Sequence, residues 1–198
     1  MGDEPVLRPA TPGDAATLAQ LHVAAWQWAY RGLVDADYLA SLDPVTRTPM
    51  WAERLTSTLA RTVVAERAGR IVGYVTFGAA RDADATPAVG HVFAIYVDET
   101  AQGTGVGRAL MAHALEGLAA DGRTQATLWV LDTNTLARTF YERGGWRPDG
   151  ATQDEHLGNA ALHEVRYRRP LPDRPHVPGA LAGSGQVPSG TGPMPSST

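Results

Sequence analysis

Hydrophobic and polar positions along the chain fall into stretches of different period. Val6-Leu7-Arg8 is short and extended. Thr11-Pro12-Gly13-Asp14 follows: Thr11 can cap a helix, Pro12 suits its first position, and Asp14 stands at capping-box spacing. Leu18, Leu21, His22, Ala25 and Trp26 then recur along one helical face. The pattern stops near Arg31-Gly32, and shorter helical patterns occupy 35–42 and 45–59. From residue 61 the period becomes two. Residues 61–66 and 71–77, joined by Ala68-Gly69-Arg70, predict a hairpin. Residues 89–97 form the strongest strand pattern. A glycine-rich turn at 102–107, a helix at 106–119, a strand at 126–131 and a helix at 134–143 closed by Gly144-Gly145 come next. Two strands, at 151–156 and 162–168, end the series. The order predicts a mixed α/β sheet with one parallel crossover at its centre.

Composition then bounds the fold and its chemistry. The 198 residues suffice for one domain with a core that needs no staples. The last 29 residues hold seven of the 14 prolines and no Phe, Trp or Tyr. A segment of that kind cannot bury enough apolar surface to offset its ordering entropy. The domain is therefore placed at 1–171 and a flexible Pro/Gly/Ser-rich tail at 172–198. Cysteine is absent, which excludes disulfides, thiolate metal sites and a cysteine nucleophile. All 17 basic residues are Arg, so Schiff-base chemistry and a P-loop lysine are excluded as well. A net charge of −4 weighs against nucleic acid or an anionic membrane as a partner. No run approaches the ~20 apolar residues of a membrane helix, and the N-terminus does not resemble a signal peptide, so a cytoplasmic location is expected.

Two segments carry candidate chemistry. Residues 97–108 join a buried strand to a helix through Gly103, Gly105 and Gly107. Such a turn lets backbone approach a ligand, and the free N–H groups of the first helical turn face an anion. A nucleotide loop would need Gly-Lys-Ser/Thr, and a dinucleotide fingerprint would need glycine at 108, which is Arg. The segment alone leaves open a turn that only packs helix on strand. The second segment runs from Asn134 to Trp146. Asn134 and Tyr141 stand two helical turns apart, Ala137 leaves room between them, and Phe140 offers an apolar anchor.

Together these segments resemble the GNAT superfamily of N-acetyltransferases. Gln102-Gly103-Thr104-Gly105-Val106-Gly107 is similar to its pyrophosphate motif. Asn134, Ala137, Phe140-Tyr141 and Gly145-Trp146 are similar to its second motif. The resemblance implies a mostly antiparallel sheet flanked by helices, with a splayed central parallel pair at 89–97 and 126–131 and a bulge near Ile95-Tyr96. It implies acetyl-CoA as co-substrate and no metal. The backbone of Ile95 and Val97 would pair with the pantetheine arm. The amides from Gln102 through Gly103, Thr104, Gly105, Val106 and Gly107 to Arg108 would hold the pyrophosphate. Asn134 would bond the pantetheine beside Ala137, and Tyr141 would sit at the sulfur as acid.

The implied activity is acetyl transfer to a primary amine by direct attack. The alternative on the same fold is a non-catalytic acetyl-CoA-binding sensor. The family often places a glutamate base where this chain has His91, which leaves two roles open: a general base acting through one water, or a histidine that shapes the pocket or bonds within the sheet. On a regular strand His91, Phe93, Ile95 and Val97 would share a face, which a bulge would reset. Trp26 and Tyr30 fall where the acceptor would bind, although Trp26 at helical spacing also suits the core. The acceptor is a small-molecule, antibiotic, peptide or protein amine, and a homodimer stays open. Arg166, Arg168 and Arg169 read as solvated charges on an edge strand.

Overall fold

The computed structural model describes residues 4–157 and 160–172, without the side chains of 155–157, 160 and 161. The tail expected at 172–198 lies outside the described residues except for Pro172. The first half contributes β1 (Val6–Pro9), α1 (Ala15–Ala29), α2 (Ala36–Ser41), α3 (Pro44–Thr56), β2 (Ala60–Arg67) and β3 (Arg70–Ala79). The second half contributes β4 (Val89–Val97), α4 (Val106–Ala120), β5 (Gln125–Leu131), α5 (Thr135–Arg143), β6 (Arg147–Leu157) and β7 (Ala160–Pro170). The strands form one sheet in the order β1-β2-β3-β4-β5-β7-β6. Neighbours are antiparallel except β4 and β5, which run parallel.

Local chemistry explains the element boundaries. Asp14 accepts a hydrogen bond from the Thr11 N–H at 2.7 Å, and a 3-10 turn, Pro12–Asp14, leads into α1. Asp43 accepts from the N–H of Val45 at 3.0 Å ahead of Pro44 and α3. Ala68 and Gly69 both have positive φ, as a tight two-residue hairpin requires. Gly145, at φ 83, ends α5: its N–H donates to Glu142 O, and Trp146 N–H donates to Tyr141 O. That Schellman pairing turns Trp146 into the core, where it is fully buried.

The sheet separates two helical layers. On one face α4 packs Val106, Leu110, Ala114 and Leu118 against Val75, Phe77, Val92 and Leu128, and Tyr141 of α5 joins them. On the other face α1 and α3 bring Leu18, Leu21 and Trp51 onto Val64 and Tyr74. Together the two clusters supply most of the buried apolar side chains that drive folding.

Three expectations are revised. The register shift on β4 falls earlier than residues 95–96: Thr76 pairs with Ala94 and Phe77 with Val92, which leaves Phe93 as the extra residue. Gly78 opposite is held tightly by the chain entering β2, since a Cβ there would stand 2.8 Å from Leu59 O. The bulge also resets the faces. Ile95 and Val97 pack toward α4, whereas Ala94 and Tyr96 pack toward α1. The His91 ring lies 4.8 Å from that of Phe93, on the face opposite Gly90 and Val92. Lastly, β7 is interior, between β5 and β6, and Arg166 is buried at 6% exposure. Its guanidinium reaches Asp84 at 2.6 Å, Asp149 at 2.8 Å and Asp82 at 3.3 Å, and lies over the Trp129 ring. A buried cation needs such partners, and three carboxylates supply them.

Candidate active site

The parallel pair is short. β4 and β5 share three rungs, Val89 with Gln125, Gly90 with Ala126, and His91 with Thr127. Beyond them the pairing stops, while β4 stays paired to β3 through Val97. The Asp98 N–H donates to Val72 O at 2.9 Å, which fixes which residues bond across β3 and β4. Antiparallel pairs alternate, so Tyr96 bonds toward β3, and Ile95 and Val97 turn their N–H and C=O groups toward the unpaired edge. An extended polar chain laid there would meet two free rungs.

The turn after β4 leads to the same place. Asp98 caps a 3-10 turn at Glu99–Ala101 by accepting from the Thr100 N–H, a structural task, and Gln102 follows it. Gly103 and Gly105 take φ 72 and 92, with nothing within 4 Å of a would-be Cβ at either. Gly105 is the N-cap of α4, and Ala109 is the first to bond back to it, at 3.0 Å. The N–H groups of Gly105, Val106, Gly107 and Arg108 precede that bond and lie outside the helical ladder. They form a donor set aimed off the helix end, where its dipole favours an anion. Phe140 packs close to Gly107, with 3.6 Å from its ring to a would-be Cβ, so α5 is seated against this turn.

α5 supplies the next groups. Asn134 caps it, its Oδ1 accepting from the Ala137 N–H at 3.0 Å. Tyr141 is 9% exposed, and its ring stands 6.3 Å from those of Trp146 and Tyr167. Burial pushes its phenol well above the ordinary range, and the nearby Tyr30 adds to the shift. From the opposite face the Tyr30 and Tyr96 hydroxyls approach to 3.2 Å. Tyr96 is also raised, by burial first and then by Tyr30, Tyr74 and Tyr141. Trp26 stacks edge-on against Tyr30 at 4.9 Å and is half-buried beside Val23, Val34 and Leu39.

His91 stands apart from this group, on the last paired rung. It is 6% exposed, and its Nδ1 lies 2.8 Å from Thr127 Oγ1. Burial lowers its pKa to about 4, with Asp82 opposing and Arg166 assisting that shift. The structure thus brings Tyr141, Tyr30 and the Asn134 and Gly103–Arg108 segments to the open end, and leaves His91 at the closed end.

Two residues here carry no local mark of their position in the sequence. His22 lies on the helix face of α1. It is buried, with Nδ1 2.8 Å from the Tyr74 hydroxyl and its pKa lowered to about 4 by burial. Tyr96 lies between Ile95 and Val97, and the bulge puts it on the α1 face.

Comparison with known proteins agrees with this geometry. A model of the acetyltransferase (GNAT) family matches residues 21–146. The relative named "Uncharacterized N-acetyltransferase YuaI", from Bacillus subtilis, is 29% identical over 160 residues, 80% of this chain and 89% of the relative. That named "Probable N-acetyltransferase Rv2775", from Mycobacterium tuberculosis, is 30% identical over 173 residues, 82% of this chain and 91% of the relative. The crystal structure of the PaiA N-acetyltransferase from Thermoplasma acidophilum, in complex with coenzyme A, shares the fold. Its TM-score is 0.68 at 13% identity, over 85% of this chain and 99% of that one. No described helix is long and apolar enough to cross a membrane. With the family model covering more than half of its length, the chain belongs to the GNAT family and is an acetyl-CoA-dependent acyltransferase.

Proposed function

We propose that the chain moves the acetyl group of acetyl-CoA onto a primary amine of a small molecule, antibiotic, peptide or protein. The observation that carries this reading is the meeting at one place of three features: the free β4 edge, the donor-rich turn and a buried tyrosine. Ile95 and Val97 offer backbone rungs to the pantetheine amides. Asn134 has its Oδ1 engaged by Ala137, so its NH₂ is the group it offers. Gln102, Gly103, Thr104, Gly105, Val106, Gly107 and Arg108 cradle the pyrophosphate, and the small Ala137 leaves room. Trp26 and Tyr30 face the acceptor side.

Two protons must move. An alkylammonium near pKa ~10 has to lose one before its nitrogen attacks. The C–N bond forms as the C–S bond breaks; the leaving sulfur takes a proton from a donor, and the nitrogen's second proton restores that donor. Tyr141 holds such a proton: a phenol is protonated at neutral pH, and a donor positioned at the sulfur lowers the barrier. Of the two roles open to His91, the surroundings favour the second. It is held by Thr127, and its low basicity makes it a weak partner for an ammonium proton. The catalytic domain is 1–171. Its last described buried residue, Leu171, donates to Thr124 O at 2.8 Å and closes the body.

The test is thiol release from acetyl-CoA against a broad amine panel, with binding measured in parallel. Amine-dependent thiol release supports the transferase. Binding without release, whatever amine is offered, assigns the chain to the sensor class.

A further inference from the structure

The loop Gly103-Thr104-Gly105 has little restraint of its own. Both glycines are at positive φ, in open space. Glycine loses more freedom on ordering than any other residue, so a site built from such amides needs outside support. Arg67, the last residue of β2, reaches it from 37 residues earlier in the chain. Its Nη1 donates to Thr104 Oγ1 at 2.8 Å, and its Nη2 donates to the Thr104 carbonyl at 3.1 Å. The Thr104 hydroxyl in turn donates a hydrogen bond to Ala101 O at 2.6 Å. One guanidinium fork thus fixes the one residue in the loop that has a side chain. The Nε of Arg67 is buried and meets no acceptor among the described residues, so these two bonds set the fork's direction.

The gripped carbonyl matters chemically. It belongs to the same peptide unit as the Gly105 N–H, the leading donor of the helix start. A charged donor on the C=O polarises that unit and strengthens its N–H as a donor. We propose that Arg67 is a positioning residue for acetyl-CoA. It keeps the Gly103–Gly105 loop ordered before the ligand arrives and primes the Gly105 amide for the pyrophosphate. This rests on the reading of residues 102–108 as the pyrophosphate cradle.

The test compares the full chain with Arg67→Ala and Arg67→Lys. Amide order parameters are measured at Gly103, Thr104 and Gly105 without ligand, and CoA and pantetheine binding by calorimetry. In Arg67→Ala the order parameters should fall from about 0.85 to below about 0.6. CoA affinity should drop about tenfold, as for a lost charge-assisted contact, with pantetheine affinity unchanged. Arg67→Lys should fall between, since it keeps the charge but not the fork. Unchanged order parameters in Arg67→Ala would overturn the proposal, as would equal losses for CoA and pantetheine. Failure of the unaltered chain to bind CoA would instead count against the cradle, while the order parameters would still decide the role of Arg67 in the loop.

Discussion

β4 and β5 form one parallel pair with two unlike ends. At the closed end, three rungs join the strands, and the chain meets its own polar groups. His91 has Thr127, Trp129 donates to Asp82 at 3.0 Å, and Arg166 ties the β3–β4 loop to β7 through Asp82 and Asp84. At the open end the sheet leaves the rungs of Ile95 and Val97 free, and the helix start presents amides with no carbonyl in the ladder. The Tyr30 and Tyr96 hydroxyls meet beside them, and Tyr141 belongs to the cluster against which Ile95 and Val97 pack. Buried polar groups already satisfied within the fold serve architecture, and groups the fold leaves over are those a ligand can use. On the proposed reading Tyr141 belongs to the chemistry, and His91, through its bond to Thr127, to the frame.

The sharpest way to break this division is a pair of substitutions, one at each end. Gly105→Asp puts a carboxylate at the cradle and a side chain at φ 92. Acetyl-CoA affinity should fall by about 100-fold or more, from charge repulsion and lost approach, while stability drops by only about 1 kcal/mol. Arg166→Ala should do the reverse. It leaves the largely buried Asp82 without its cation and Asp149 with Arg168 alone, and should cost about 3 kcal/mol in urea unfolding. Its acetyl-CoA affinity should stay within about threefold of the unaltered chain. Loss of binding in Arg166→Ala at a temperature where it is folded would mean the two ends are not separate.

Acid stability sharpens the contrast on a smaller scale. His91 at the closed end and His22 behind the open one both have pKa values lowered to about 4 by burial. Both favour the neutral form when folded, so the unfolded chain binds more protons as pH falls. Their contribution is complete above the ordinary value of ~6.5 and drains away toward pH 4. Urea unfolding should show a loss of about 2 kcal/mol per histidine between pH 7 and 5. His91→Gln should flatten about half of that slope without giving the pH–rate profile of acetyl transfer a new shape. A changed rate profile would restore His91 as the base.

Much of this was legible in the sequence because it rests on local patterns. The period change at residue 61, the Asn134 cap, the Gly144-Gly145 stop and the glycine turn are each set by neighbouring residues. What escaped notice depends on distant pairings. Arg166 looked like an edge charge because nothing local says that β7 inserts between β5 and β6. The bulge falls at Phe93 through its register with β3, which no local pattern along β4 sets. His22 and Tyr74 meet across 52 residues, and Tyr30 and Tyr96 across 66, so no window along the chain holds either pair.

The central claim is that the open end holds the chemistry, with Tyr141 as proton donor. Tyr141→Phe removes one hydroxyl from a ring that is otherwise part of the core. Turnover at saturating acetyl-CoA and acetyl-CoA affinity should be measured on the same preparation. The account predicts a fall in kcat of roughly 10- to 1,000-fold with Kd within about twofold, the loss expected for a positioned acid. An unchanged kcat, or a Kd that weakens as much as kcat falls, would contradict it.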